Sequence, residues 1–329
     1  MKYLITTTGY GTTGSSVVTD LFKEFENVKS FGEYEFRWLF DIHGVRELEV
    51  ALKELNNRQN SDYYIKAFLK YISYLSKSPI YSYYENTFNG QFEKLSIEFI
   101  ENIVDVKWTG YWHQDVMNEK FIRKFFYYVE RFIQKKILKQ KDSSAKFYKK
   151  TMYYSVKDEE RFLLEVKKYI KKLINSINSL DDFFVFDQLV PPENIDEFLK
   201  YFDSLKVIVI ERDPRDLYLL EKYEYHETWI PFENVNQFIK WYRLTRSHKK
   251  SDSNNVLYLN FEDFIYMYED TIDKVLAFTN IKKQWWKYRG KYFNPNISIK
   301  NTKKWLVYPQ AKKEIELIEK ELSEFLVEY

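Results

Sequence analysis

The chain has 329 residues, of which 45% are hydrophobic and 19% aromatic, so it can bury a full core and is not typical of a disordered protein. Its 51 Lys and Arg residues are balanced by 49 Asp and Glu residues, and a formal charge of +2 does not indicate a nucleic-acid-binding protein. With no cysteine and four histidines, the sequence excludes disulfides and predicts no metal site.

Membrane insertion and secretion are not indicated either. No apolar run reaches the length of a membrane span, and the apolar stretch Tyr3–Ile5 is too short for a signal peptide. We therefore expect a cytoplasmic protein with no integral membrane segment. The abundance of Lys, Asn, Ile, Tyr and Phe is typical of AT-rich bacterial coding.

The first predicted element is a strand that leads into a glycine-rich loop and a helix. KYLITTT alternates and is rich in β-branched residues, GYGTTGSS follows at once, and SSVVTDLFKEF has apolar residues at helical spacing. Such a loop can turn backbone N–H groups toward an anion, and the Ser15 and Ser16 hydroxyls can add hydrogen bonds. The interval from Gly9 to Gly14 matches the Walker A spacing, yet Ser15 stands where a P-loop NTPase has its lysine. An anion site and a glycine turn without a ligand both remain open.

The next segment, NVKSFGEYEFRWLFDIHG, places charged side chains after a short strand. VKSF predicts a strand beside the glycine loop, with Glu33, Glu35 and Arg37 near its C-terminal end. If the strand continues, alternation puts these three side chains on one face. They are candidates for proton transfer, and an ion-paired loop is the competing interpretation.

Residues 120–150 form a basic block, with eleven Lys or Arg residues against Glu130 and Asp142, a local charge of +9. Its aromatic residues recur at helical spacing, at Phe121, Phe125, Tyr128 and Phe132. This predicts an amphipathic helix with a basic outer face, and Asp158–Ile177 predicts a second helix after a turn at SSAK. A solvated basic face and a surface for an acidic acceptor, such as an anionic glycan, are both open.

A further strand is predicted at Phe183–Phe186, stopped by Asp187 and a Pro-Pro pair, with a helix from about Glu193. Asp187, at the strand end, could contact a substrate or cap the next turn.

The aliphatic run Lys206–Ile210 predicts a buried parallel strand that ends in ERDPRD. Pro214 suits the first turn of a helix. Arg212 follows the carboxyl end of the strand, where open α/β sheets bind ligands, and its guanidinium group suits a phosphate. An Arg–Asp ion pair that closes the strand–helix turn is the alternative.

Together, the glycine loop and ERDPRD resemble the two cofactor loops of the sulfotransferase family, which uses 3'-phosphoadenosine-5'-phosphosulfate (PAPS). In that family the first loop wraps the 5'-phosphosulfate, and a second loop of type RDPRD supplies an arginine to the 3'-phosphate. The resemblance implies that Arg212 binds the donor together with the first loop, at Gly11, Thr12, Thr13, Gly14, Ser15 and Ser16.

Two later segments extend the resemblance. FEDF resembles the family's YEDL-like turn after a strand, and FNPNISIKNTKKWLVYPQ resembles the C-terminal segment that closes over the cofactor. Thr12 stands where many relatives have a cation, which Arg37, Lys300, Lys303 or Lys304 could replace. Where the second loop usually has a serine, this chain has Leu220, so Arg212 is the one matched contact to the 3'-phosphate.

The resemblance also bears on the catalytic base. Glycan sulfotransferases carry a catalytic Glu followed by a basic residue and an aromatic residue, and Glu35-Phe36-Arg37-Trp38 resembles that order best, with Glu33 as the second choice. Cytosolic small-molecule sulfotransferases use a histidine instead. None of the four histidines lies in a matching motif: His43, His113, His226 and His248. Among them His226, after the second loop, is the best placed.

The sequence therefore predicts one α/β domain over residues 1–329, a three-layer P-loop-like fold with a central parallel sheet flanked by helices and a helical insertion at about 115–180. The resemblance implies an enzyme that moves a sulfuryl group from PAPS to a hydroxyl of a glycan or a related small acceptor. The alternatives are a P-loop kinase or nucleotide hydrolase, and a non-catalytic nucleotide-binding protein of the same fold. No nucleic-acid partner is expected.

Overall fold

The computed structural model describes residues 2–112, 115–116, 119–139, 149–156 and 158–328. It divides into two compact units, one made of residues 1–40 and 174–329 and the other of residues 41–173. The prediction of a single domain with an insertion at about 115–180 stays a prediction. His113 and the turn predicted at SSAK lie outside the described residues.

The predicted parallel sheet is present in the first unit. The strands of the described residues are β1 (Tyr3–Gly9), β2 (Val28–Glu35), β3 (Val106–Gly110), β4 (Lys150–Tyr154), β5 (Phe183–Asp187), β6 (Lys206–Glu211) and β7 (Val256–Asn260). Five of them form one sheet in the order β2–β5–β1–β6–β7, and each neighbouring pair is parallel. With helices on its faces, this sheet confirms the predicted α/β class.

The helices of the described residues belong to both units. They are α1 (Ser16–Phe22), α2 (Val45–Glu54), α3 (Arg58–Lys77), α4 (Tyr83–Thr87), α5 (Phe92–Ile103), α6 (Phe121–Phe132), α7 (Glu159–Ser176), α8 (Ile195–Leu199), α9 (Pro214–Leu220), α10 (Val235–Thr245), α11 (Asp263–Tyr266), α12 (Tyr268–Thr279), α13 (Pro295–Ser298) and α14 (Lys312–Glu321). Among the described residues, none of these helices combines the length and apolarity needed to cross a bilayer.

The central strands are apolar on both sides because helices cover both faces of the sheet. In β6 four successive residues, Val207 to Ile210, are fully buried. One apolar cluster packs β1, β5, β6 and β7 against α1 and α12, and a second cluster joins α9, α10 and α14. Pro214 begins α9, as the sequence predicts, and the Asp213 side chain caps the helix by accepting from the backbone N–H of Arg215.

The second unit is built around α3 and α5 and includes a two-stranded antiparallel ribbon of β3 and β4. Asn57 caps α3 by accepting from the backbone N–H groups of Gln59 and Asn60. Buried Asp62 of α3 accepts from the backbone N–H of Tyr153 at 2.8 Å, which ties β4 to the helix. The ribbon was not among the predicted elements.

Helix α6 is present where the basic block predicts a helix, but its burial is the reverse of the expected pattern. The aromatic residues expected on the inner face are exposed: Phe121 by 82%, Phe125 by 56%, Tyr128 by 63% and Phe132 by 60%. The buried residues of α6 are Tyr127 and Glu130. Helical spacing shows which residues share a face but not which face meets the protein. Here a polar face is the one that packs.

Candidate active site

The glycine loop between β1 and α1 has a backbone that requires its glycines. Gly11, Thr12 and Gly14 have φ values of +88°, +51° and +86°, all in the left-handed region. A Cβ atom at Gly11 would lie 1.8 Å from the Trp229 ring, and one at Gly14 would lie 2.6 Å from the Phe261 ring. Side chains at these two positions would therefore collide with neighbours as well as strain the loop.

Arg212 ties this loop to the C-terminal segment. Its side chain is 3% exposed, and its terminal nitrogens donate to the backbone carbonyls of Thr12 at 3.0 Å and of Asn301 at 2.6 Å. The guanidinium group lies 4.5 Å from the centre of the Phe261 ring. Its buried Nε has no hydrogen-bond partner. Since a guanidinium group carries five N–H donors, Arg212 retains donors for a ligand.

The second arginine of ERDPRD has the structural role that was the alternative for this motif. Arg215 donates from Nε and Nη2 to the two carboxylate oxygens of Asp213, at 3.0 and 2.7 Å. It also pairs with Glu319 at 3.0 Å and lies 3.8 Å from the centre of the Trp305 ring. The motif thus contains one arginine that closes the strand–helix turn and another that faces a cavity.

The turn FEDF supports the second loop. Glu262 is 1% exposed, and its Oε1 accepts from the backbone N–H of Asp213 at 3.1 Å. Burial raises the pKa of Glu262 to about 8, while the charge of Arg212 acts in the opposite direction. The other oxygen of Glu262 has no hydrogen-bond partner.

A cavity of about 310 Å³ opens between the glycine loop, Arg212 and residues 290–301. Thr12, Gly14 and Ser16 line one side of it. Lys291, which was not among the predicted site residues, lines the other side. This volume is in the range of small-ligand sites, and both a cation and a loop of backbone N–H groups border it.

Glu24 holds the far wall of this cavity in place. It is fully buried, and its carboxylate accepts from the backbone N–H groups of Gly290, Tyr292 and Phe293 and from the Trp286 indole, at 2.8 to 3.0 Å. A carboxylate that accepts several such bonds is a strong local anchor. No local sequence pattern marks Glu24, because its partners are at least 262 residues away in the chain.

A larger cavity of about 520 Å³ lies on the other side of the loop and contains the predicted proton-transfer residues. Ser15, Glu35, Arg37 and Gln188 are among its lining residues. Arg37 Nη1 is 3.2 Å from Glu35 Oε2, and both side chains are about half exposed, at 46% and 51%. Glu33, the second candidate base, does not line the cavity.

Asp187 lies between the loop and the candidate base. It pairs with Glu35 in the β5–β2 register, and its backbone carbonyl accepts from the N–H of Phe36 at 2.9 Å. The side chain is 8% exposed and hydrogen-bonds the Ser15 side chain. Burial, together with the charge of Glu35, raises the pKa of Asp187 to about 8. Burial thus favours the uncharged form of Asp187.

The predicted lysines are placed differently from one another. Lys304 is 6% exposed and its Nζ is 2.5 Å from Glu224 Oε1, so its charge is used in an ion pair with that more exposed side chain. Lys303 has a left-handed backbone, and its Nζ lies 4.8 Å from the centre of the Tyr266 ring. Lys300 and Lys303 line neither cavity.

The described histidines line neither cavity. His226 has a left-handed backbone and its ring lies 5.8 Å from that of Phe232. His43 contacts Glu47 at 3.3 Å, and His248 is exposed. Leu220, at the position where the family usually has a serine, is fully buried.

Two solved structures are similar to this chain. Sulfotransferase STF1 from Mycobacterium tuberculosis H37Rv is 10% identical, with a TM-score of 0.31, and the match covers 92% of this chain and 77% of that chain. Sulfotransferase STF9 from Mycobacterium avium is also 10% identical, with a TM-score of 0.32, and the match covers 87% of this chain and 66% of that chain. No family model and no curated protein matches the sequence.

Proposed function

We propose that this protein transfers a sulfuryl group from PAPS to a hydroxyl of a glycan or a related acceptor. The observation that carries the proposal is the position of the glycine loop, which borders two cavities. One cavity is lined by Arg212 and the other by Glu35 and Arg37. A donor with an anionic nucleotide end and a reactive end, and an acceptor that needs a base, match this arrangement.

The described residues fit PAPS as a donor. In the proposal, Arg212 binds the 3'-phosphate through donors such as Nε, which has no protein partner. The left-handed residues Gly11, Thr12 and Gly14 hold the loop in a conformation in which its N–H groups can donate hydrogen bonds to the 5'-phosphosulfate. When bound, PAPS supplies the sulfuryl group, and its 5'-phosphate takes up the negative charge that develops on the leaving group.

Glu35 is the proposed general base. It lines the larger cavity and can take the proton of an acceptor hydroxyl. Arg37, at 3.2 Å, orients the Glu35 carboxylate and supplies a positive charge on the same side of the loop. A carboxylate base, with none of the described histidines in either cavity, favours a sugar hydroxyl, as the order of residues 35–38 implies.

Asp187 is the proposed partner of Ser15. The hydrogen bond between the Ser15 hydroxyl and the Asp187 carboxyl group holds the Ser15 side chain in place beside the anion. The uncharged form of Asp187 also removes a repulsive negative charge from beside the anion and beside Glu35. This second effect requires the raised pKa that burial produces at this position.

The proposal is tested by turnover of radiolabelled PAPS with a panel of bacterial surface oligosaccharides and, as a comparison, simple phenols. We expect label in a saccharide product and release of 3',5'-adenosine bisphosphate. A kinase would instead transfer a phosphoryl group from ATP with Mg²⁺ to the acceptor, a nucleotide hydrolase would release phosphate from ATP, and both would leave PAPS intact. Binding of the bisphosphate without label transfer to any acceptor would favour the non-catalytic alternative.

A further inference from the structure

Helix α6 and the turn after it expose an unusual number of apolar side chains. Among residues 121–138, nine apolar or aromatic residues are between 39% and 82% exposed: Phe121, Ile122, Phe125, Phe126, Tyr128, Phe132, Ile133, Ile137 and Leu138. Single exposed apolar residues are ordinary on protein surfaces, but a contiguous set of this size marks an interaction site. This set is independent of the two cavities and of the proposed activity.

The helix packs through its polar side instead. Glu130 accepts from Gln134 at 2.9 Å, and the Tyr127 ring lies 6.0 Å from that of Tyr111 in a small cluster with Val116. Of the twelve residues of α6, Tyr127 and Glu130 are the buried ones. The apolar face is therefore turned outward by the way the helix is anchored, and we call this exposed face the apolar ridge.

Basic residues accompany the apolar ridge. Residues 120–139 contain seven Lys or Arg residues and one acidic residue, Glu130, which is buried. At 100° per residue, Lys124 and Arg131 of α6 fall along one edge of the apolar arc and Arg123 along the other. An apolar face with aromatic residues and flanking cations is the pattern of a helix that lies in a membrane interface.

We propose that α6, with the turn at residues 133–139, docks this protein on an anionic membrane surface. The aromatic side chains would enter the boundary between headgroups and acyl chains, while the Lys and Arg side chains contact the lipid phosphates. A second copy of the chain is disfavoured as the occupant, because two such ridges would bring like charges together.

The absence of cysteine from the chain allows a site-specific test on the full-length protein. Phe125→Cys on the ridge and Ile80→Cys elsewhere on the same unit, where Ile80 is 75% exposed, are each labelled with an environment-sensitive fluorophore. Vesicles of equimolar phosphatidylcholine and phosphatidylglycerol should enhance the fluorescence at position 125 and not at position 80. Vesicles of phosphatidylcholine alone should produce little change, and added salt should weaken the effect.

Sedimentation with the same vesicles provides the second readout. The double variant Phe125→Glu/Phe132→Glu should bind the vesicles about tenfold more weakly, because two aromatic anchors are lost. Ile80→Glu should leave vesicle binding unchanged. All three positions are exposed, so circular dichroism should show that the variants are folded. If the double variant is unfolded, Phe125→Ser replaces it. Equal fluorescence responses at positions 125 and 80 would overturn the proposal. The proposal would also be overturned if sedimentation velocity without vesicles showed a dimer that the double variant does not form. Binding of an acidic protein without any binding to vesicles would overturn it as well.

Discussion

Replacing Arg212 by alanine separates the two tasks that this side chain performs. The substitution removes the hydrogen bonds to the Thr12 and Asn301 carbonyls and the contact with the Phe261 ring. It also leaves Glu262 without the positive charge that opposes the rise of its pKa. We expect a loss in the free energy of unfolding of about 1–3 kcal/mol, the usual effect of leaving a buried hydrogen-bonding group without its partner.

The same substitution should weaken the binding of 3',5'-adenosine bisphosphate by about 1.5–3 kcal/mol, the range for a hydrogen bond to a charged group. This corresponds to roughly a tenfold to hundredfold higher dissociation constant. Arg215→Ala is the matched control within the same motif. It loses the ion pair with Asp213 and should also lower stability, but Arg215 does not line the cavity and the affinity should stay unchanged.

The assay combines urea unfolding with titration calorimetry at a temperature where circular dichroism shows both variants folded. The account requires both variants to be less stable and only the Arg212 variant to bind weakly. Normal affinity in folded Arg212→Ala would refute the assignment of the 3'-phosphate to this residue. Equal losses of affinity in both variants would show that the motif acts through the fold and not through contact.

Substitutions at four further residues test other parts of the site. In radiolabelled PAPS assays, Glu35→Gln should lower turnover by about 10²–10⁴-fold at unchanged bisphosphate affinity, whereas Glu33→Gln should lower turnover only slightly. The opposite result would assign the base to Glu33. The free energy of unfolding of the wild type should fall as the pH rises toward 8. Asp187 contributes up to about 1.4 kcal/mol per pH unit to this fall, because its pKa is higher in the folded state than in the unfolded state. The stability of Asp187→Asn relative to the wild type should therefore increase from pH 5 to pH 8, and this variant should retain bisphosphate affinity at pH 9. A stability difference between the two proteins that does not change with pH in urea unfolding would contradict this. Glu24→Ala should lower the unfolding free energy by about 3 kcal/mol, since four donors lose a fully buried acceptor, and should weaken bisphosphate binding. A normal midpoint in urea would exclude this anchor.

The strands of the sheet could be predicted from the sequence because they are buried on both faces. β5 and β6 read as nearly continuous apolar runs, and the structure extends each by one residue, to Asp187 and Glu211. The glycine loop and the turn at ERDPRD could also be predicted, because their signals are local in the sequence. Glycines at Gly11 and Gly14 and the proline after Asp213 are local signals, and the structure uses them locally.

Features that depend on distant partners were not predictable. Glu24 is an ordinary helix-proximal glutamate in the sequence, and its role appears only when residues 286–293 lie over it. The ribbon of β3 and β4 pairs Val106 with Tyr154 across a long separation, which no local pattern reports. For α6 the period was right but the orientation was not, because polar anchors at Tyr127 and Glu130 decide which face is covered.

Asp187 illustrates an intermediate case. Its position at a strand end suggested either a substrate contact or a cap, and the structure instead buries it against Ser15 beside Glu35. The raised pKa follows from that burial, which a single strand-end residue cannot reveal.

The central claim is that the glycine loop and Arg212 bind the nucleotide of PAPS. Calorimetric titration of the purified full-length protein with 3',5'-adenosine bisphosphate, and separately with ATP and Mg²⁺, tests it most directly. The account predicts saturable one-to-one binding of the bisphosphate, much weaker binding of ATP with Mg²⁺, and a loss of bisphosphate affinity in Arg212→Ala but not in Arg215→Ala. Tighter binding of ATP with Mg²⁺, or no heat of binding with the bisphosphate, would contradict it.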